Sequence, residues 1–156
     1  LRNYGANVKY SHLYQVANSR LYELHAAMLR VKLRHLDEEV TRRREVAWRY
    51  REGIRHPRIL LPAVARAARH AWHLFVVRSP RRDALQRHLQ GLGIHAQVHY
   101  PVPPHRQPAY PELNGVHLPL TERLHREVLS LPLGPSMDAA AVDAVIDACR
   151  SFGGGT

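Results

Sequence analysis

Two short stretches of this 156-residue chain combine residue types that can hold a ligand. The first is Asn18-Ser19-Arg20, placed where an irregular segment gives way to a helical pattern. Backbone N–H groups at a helix start favour anions, and an amide, a hydroxyl and a guanidinium beside them complete a phosphate-binding set. The same residues equally describe a helix cap, with Asn18 or Ser19 accepting from the first turn. The second stretch is His99-Tyr100-Pro101, with His105 and Tyr110 close behind. Polar aromatics on a proline-stiffened loop at a strand end can line a ligand cleft, or form a surface turn whose polar groups satisfy one another.

Other chemistries fit the residue types less well. Twelve histidines invite a metal site, yet His70 and His73 flank an apolar, strand-like run, and His95 and His99 sit too far apart along a predicted strand. No cysteine or acidic cluster completes a tetrahedral set, so no metal is expected. There is no Gly-x-Ser-x-Gly elbow and no Gly-rich loop ending in lysine, which argues against a serine hydrolase and a P-loop. The single cysteine, Cys149, falls on the apolar stripe of the last predicted helix, where it packs and cannot form an intrachain disulfide.

The elements that position these stretches follow from periodicity. Residues 1–18 carry Gly5, three Asn and three Tyr without a sustained period and read as a loop. From Arg20, Leu21, Leu24, Met28, Val31 and His35 recur at helical steps, with Leu29, Leu33, Leu36 and Val40 on a neighbouring stripe. Continued through Val46, Ala47 and Tyr50 to Gly53, the pattern predicts one helix of about 30 residues, roughly 45 Å long. Such a helix exceeds one small domain and would link two domains or subunits. After a Pro- and Arg-containing connection over 54–69, His73–Val77 reads as a buried strand, and Ser79-Pro80 opens a helix carrying Leu85, Leu89 and Leu92. Ile94–Tyr100 reads as a second strand. Thr121 is expected to cap a helix with Leu124, Val128 and Leu129, and Leu131-Pro132-Leu133 to form an edge strand. Ser136 is expected to cap a last helix with Val142, Val145, Ile146 and Cys149 inward. Strands alternating with helices make a small α/β unit with a short sheet.

Composition sets outer bounds. A 45% apolar and 23% charged chain is that of an ordinary globular protein, and no apolar run is long enough to span a bilayer. Net charge is +10, the footprint of a nucleic-acid binder, but the cations are spread out and only Lys9 and Lys32 are lysines. An arginine bias of this kind also fits a GC-rich genome, so nucleic acid is not the expected partner. A start at Leu1, without Met or an apolar leader, is read as a beginning inside a longer, cytoplasmic protein.

An ordered series of motifs resembles one family. Asn3-Tyr4-Gly5, Lys9-Tyr10, Asn18-Ser19-Arg20-Leu21 and Ala26-Ala27-Met28-Leu29 resemble the segment after the cofactor lysine of DegT/StrS-type sugar aminotransferases. Trp72-His73-Leu74-Phe75-Val76, Arg82-Asp83, Gly93-Ile94, His99-Tyr100-Pro101 and Leu129-Ser130-Leu131-Pro132-Leu133 follow in the same order. The subclass most resembled acts on dTDP-linked 3-keto-6-deoxyhexoses. The chain departs from the pattern in having no Gly in Gln15-Val16-Ala17, Tyr22 where Asp is usual, and His25 where Gln is usual.

The resemblance implies the C-terminal portion of an aspartate-aminotransferase-type (fold type I) enzyme, with pyridoxal 5'-phosphate as cofactor. It implies a homodimer with shared active sites, glutamate as amino donor, and a keto-deoxysugar nucleotide as substrate, for amino-sugar biosynthesis in an antibiotic or polysaccharide. Asn18 would reach the neighbour's cofactor phosphate, Arg20 that phosphate or the nucleotide diphosphate, and His99 and Tyr100 would border the sugar-nucleotide pocket. Residues 1–19 would end the large domain, 20–53 form the linking helix, 54–152 the small domain and 153–156 a tail. The Schiff-base lysine belongs upstream, and neither Lys9 nor Lys32 replaces it, so the chain alone is expected to lack activity. The alternatives are a non-catalytic interaction module, exposing an apolar patch along Leu21–Leu36, and a basic nucleic-acid-binding domain.

Overall fold

A computed structural model of the chain describes residues 6–8, 11–12, 21–65 and 69–153, divided between two units, Leu1–Glu38 and Glu39–Thr156. In the first unit, β1 (Ala6–Val8) and β2 (Ser11–His12) pair antiparallel, Ala6 opposite His12 and Val8 opposite Ser11. This corrects the loop expected over 1–18 at those five residues, and the rest of that stretch lies outside the described residues. Lys9-Tyr10, outside the described residues, lacks the Asn-Gly or Asp-Gly signature of a tight hairpin, so this pairing carries no sequence signal.

The single long helix is also revised. Helix α1 (Glu23–Leu33) and helix α2 (Leu36–Gly53) are separate, with Arg34 and His35 in a turn between them. The Arg34 and His35 N–H groups bond three residues back, to the carbonyls of Val31 at 3.3 Å and Lys32 at 3.0 Å. The charges on either side suit two helix ends. Arg30 and Lys32 sit in the last turn of α1, and Asp37-Glu38-Glu39 opens α2, each suited to the helix end beside it. Helix α1 buries none of its residues, and Leu21, Leu24, Met28, Leu29, Val31 and Leu33 are all exposed.

The second unit has a full core. β3 (Phe75–Arg78) and β4 (Val128–Leu131) pair antiparallel with Phe75 opposite Leu131 and Val77 opposite Leu129. Those four side chains alternate onto one buried face, as a period of two requires. Leu60 bridges to Arg78 on the outer side of β3, and Gln97 bridges to Ser130 on the outer side of β4. Helices α3 (Arg82–Gly91) and α5 (Ala139–Ser151) contribute Leu85, Leu89, Val142, Val145, Ile146 and Cys149 to this core. His88 ties them together, 2.9 Å from the Ala148 carbonyl. From α2 comes Tyr50, wholly buried, its ring edge-on to Phe75 and its hydroxyl donating to the Pro132 carbonyl at 2.8 Å. Gly53 ends α2 against α5, where a Cβ would stand 2.7 Å from the Ile146 side chain.

Several element ends differ from expectation. α3 begins at Arg82, because Ser79 builds the turn before it, its Oγ accepting from the Arg81 N–H at 3.2 Å. Leu92 lies beyond α3 and is exposed, and the turn closes at Gly93 with φ +76°. Of the strand expected over Ile94–Tyr100, only Gln97 pairs, exchanging two backbone bonds with Ser130 at 3.0 and 2.7 Å. α4 (Pro119–Glu127) starts at a proline, whose fixed φ suits the first helical position, so Thr121 lies inside it. Val128 and Leu129 pass into β4, which stops at Leu131 because Pro132 has no N–H to continue the ladder. Asp138, not Ser136, caps α5, accepting from the Ala141 N–H at 2.8 Å.

Candidate functional site

The His99–Tyr100 segment is built outward from β4. Gln97 is locked to Ser130 by the paired backbone bonds described above, and two residues later His99 Nδ1 shares a 2.9 Å hydrogen bond with Ser130 Oγ. Ser130 is buried and His99 half-buried, so the imidazole is held at the outer edge of the sheet. The His99–Tyr100 peptide is cis, and the two rings meet edge to face with centroids 5.7 Å apart. The Tyr100 carbonyl accepts from His125 Nδ1 of α4 at 2.6 Å, while its phenol ring is 67% exposed. The backbone is thus fixed from two elements, and the tyrosine ring stays exposed.

The loop that follows is fastened by a residue the sequence reading did not single out. A 3₁₀ turn at Pro104–Arg106 buries His105, and a second at Pro111–Leu113 follows Tyr110, which is exposed. Glu122 of α4 gathers this loop on one carboxylate oxygen. His105 Nε2 lies 3.2 Å away, Arg106 Nη2 donates at 3.1 Å and the Leu118 N–H at 3.3 Å. His117 Nδ1 approaches to 3.7 Å. These contacts, His105 foremost and then Arg106 and Leu118, hold the Glu122 carboxyl down at about 2. A signal was present: Leu118 cannot cap α4 with its own side chain, and an acid in the first turn after Pro119 can reach back to its N–H. His105 therefore serves the loop, and no hydrogen bond joins it or Tyr110 to His99 or Tyr100 among the described residues.

Asn18, Ser19, Arg20 and Lys9 lie outside the described residues. Lys32 is exposed in the last turn of α1. Tyr22 and His25, the two departures from the family pattern, are both exposed and pack edge to face, ring centroids 5.9 Å apart. Burial pushes the Cys149 thiol up to about 12, which fits its packing role. Among the described residues no group of three His, Cys, Asp or Glu could hold a metal, and no helix is long and apolar enough to cross a membrane.

Ordered motifs, the two-sided anchoring of His99–Tyr100 and the α/β core all lead to one comparison. The profile of the DegT/DnrJ/EryC1/StrS aminotransferases matches residues 1–150, and the chain belongs to that family. It is similar to the dTDP-3-amino-3,6-dideoxy-alpha-D-galactopyranose transaminase of Aneurinibacillus thermoaerophilus, 46% identical over 153 residues, covering 98% of this chain and 42% of that protein. Its fold matches the crystal structure of S. venezuelae DesV in complex with a ketimine intermediate, with a TM-score of 0.89, 46% identity, and coverage of 97% of this chain and 42% of DesV. NtdA of Bacillus subtilis, solved with bound cofactor PMP, matches with a TM-score of 0.80 and 28% identity over 94% of this chain and 36% of that one. The fold-type expectation and the pyridoxal-phosphate cofactor of the complete enzymes agree with these matches. The chain spans less than half the length of these relatives. The described residues do not by themselves fit the cofactor, since their one lysine, Lys32, is a surface residue of α1.

Proposed function

We propose that this chain is the C-terminal part of a pyridoxal-phosphate aminotransferase that transfers an amino group, from glutamate, to a dTDP-linked keto-deoxysugar. The observation that carries this reading is 46% identity across 98% of the chain to a transaminase named for a dTDP-linked 3-amino sugar. Within such an enzyme the anchored His99 and the exposed Tyr100 ring would border the sugar nucleotide, a reading supported by their hold on Ser130 and His125. Asn18 and Arg20 would serve the cofactor phosphate of a neighbouring subunit in a homodimer, which rests on the family resemblance. Residues 1–19, 20–53 and 54–152 would then be the end of the large domain, the linking region and the small domain.

The test is a chimera in which this chain replaces the matching C-terminal region of the Aneurinibacillus relative. The expected result is amination of the relative's keto-sugar nucleotide, lost or sharply reduced by His99→Ala. A chimera that folds and binds cofactor yet aminates no keto-sugar nucleotide would refute the reading. The isolated chain, mixed with pyridoxal phosphate, is expected to show only the spectrum of free cofactor.

A second reading, an interaction module without catalysis, is favoured by one observation: the apolar residues of α1 have no cover within the described structure. It predicts stable self-association of the isolated chain with no gain of activity in the chimera.

A further inference from the structure

A cleft of about 410 Å³ in the second unit is lined by α2 and by Val64, Ala65, His70 and Trp72, and shares no residue with the His99–Tyr100 loop. The α2 residues are Arg44, Trp48 and Arg51. Both tryptophans of the chain are therefore in this one place. Arg44, Trp48 and Arg51 are spaced four and three apart, so α2 presents a cation, an indole and a second cation along one face. Trp48 is 63% exposed, unusual for so large an apolar ring with no role in the core. Arg51 has no hydrogen-bond or ion-pair partner among the described residues, and Arg44 spends only its Nε, on the His70 carbonyl at 2.9 Å.

The facing wall carries a strained tryptophan. Trp72 is buried with φ +52°, a conformation that bulky residues rarely adopt. Its ring packs on two others, stacked with Phe75 at a centroid distance of 5.3 Å and tilted against His70 at 4.2 Å. The Trp72 backbone N–H donates to His70 Nδ1 at 2.9 Å, which leaves the imidazole proton on Nε2 as a donor. Strain held by packing in this way is characteristic of ligand clamps. The volume falls within the range of small-molecule sites, about 300–1,000 Å³.

We propose that this cleft binds a nucleoside monophosphate. An exposed indole offers a face on which a planar base stacks, and stacking tolerates any base. The unpaired Arg51 and the free Nη groups of Arg44 offer forked donors that match a phosphate. His70 Nε2–H supplies a donor for the sugar or the base edge. The site shares no residue with the loop around His99 and does not depend on the function proposed above.

The experiment is a titration of the intact chain with AMP, read by selectively excited tryptophan fluorescence, since both tryptophans line the cleft. Saturable quenching is expected, with Trp48→Ala and Arg51→Ala each weakening AMP by about tenfold and Trp48→Phe retaining most of the affinity. Adenosine, lacking the phosphate, and ribose 5-phosphate, lacking the base, should each bind at least about tenfold more weakly than AMP. Both substituted positions are exposed, so unchanged circular dichroism and melting serve as the folding control. His99→Ala should leave AMP binding unchanged, which separates this result from the chimera assay. The proposal is overturned by absence of saturable quenching at millimolar AMP, or by binding indifferent to Arg51→Ala. It is also overturned if single-stranded oligoadenylate binds far more tightly per nucleotide with steep salt dependence, for the ligand would then be a nucleic-acid strand.

Discussion

Helices α1 and α5 are of similar length, eleven and thirteen residues, and both carry apolar side chains at helical spacing. α5 buries Val142, Val145, Ile146, Ala148 and Cys149, whereas α1 buries nothing and exposes Leu24, Met28, Leu29, Val31 and Leu33. An apolar stripe states that a helix wants a partner, and only the rest of the fold says whether one is supplied. In the second unit β3, β4, α2 and α3 supply it. For α1 none is supplied among the described residues, and under the function proposed above the rest of an aminotransferase would supply it.

The sharpest way to break this contrast is mutational. Leu89→Ala removes a fully buried side chain from α3 and should cost about 2–5 kcal/mol, read by urea unfolding. Leu29→Ala in α1 should change the isolated chain by no more than about 0.5 kcal/mol, because that side chain is already in water. Equal losses would mean that α1 is packed as well as the core. Smaller, and still confined to the second unit, is Gly53→Ala, expected to cost about 1–3 kcal/mol as Ile146 is displaced. Tyr50→Phe follows at about 1 kcal/mol, since the Pro132 carbonyl loses its donor.

The last effect is local and pH-dependent. Glu122 is held at about 2 against an ordinary value of 4.5, so its contribution is present above pH 4.5 and is lost as pH falls towards 2. Amides of the Pro104–Leu118 loop should therefore lose protection from exchange across that window, while those of α5 persist further. In Glu122→Gln the loop should already be loosened at neutral pH and show no further step there.

Much of the second unit was legible because its signals are local and redundant. Leu85 and Leu89 fall four apart, and Val142, Val145, Ile146 and Cys149 repeat at helical steps, so the inward faces follow from spacing alone. Element ends were harder, since Ser79 and Ser136 look like caps while the turn geometry gives the roles to a pre-helical bend and to Asp138. The break at Arg34–His35 was written in charge, basic before and acidic after, where the apolar stripe runs on without interruption. The candidate site was legible at His99 and Tyr100 but not at Ser130, His125 or Glu122. Those three are 31, 25 and 17 residues from the groups they hold, and such pairings exist only once β4 and α4 are in place. The positive φ of Trp72 likewise has no counterpart in the sequence, where Gly or Asn would have flagged it.

Hydrogen exchange of α1, followed in the isolated chain and again in the chimera with the Aneurinibacillus relative, tests the account most directly. The amides of α1 should exchange rapidly in the isolated chain and become protected in the active chimera, while α5 is protected in both. An α1 as protected as α5 in the isolated chain, or one that stays unprotected in an active chimera, would contradict the claim that this helix is completed by the rest of an aminotransferase.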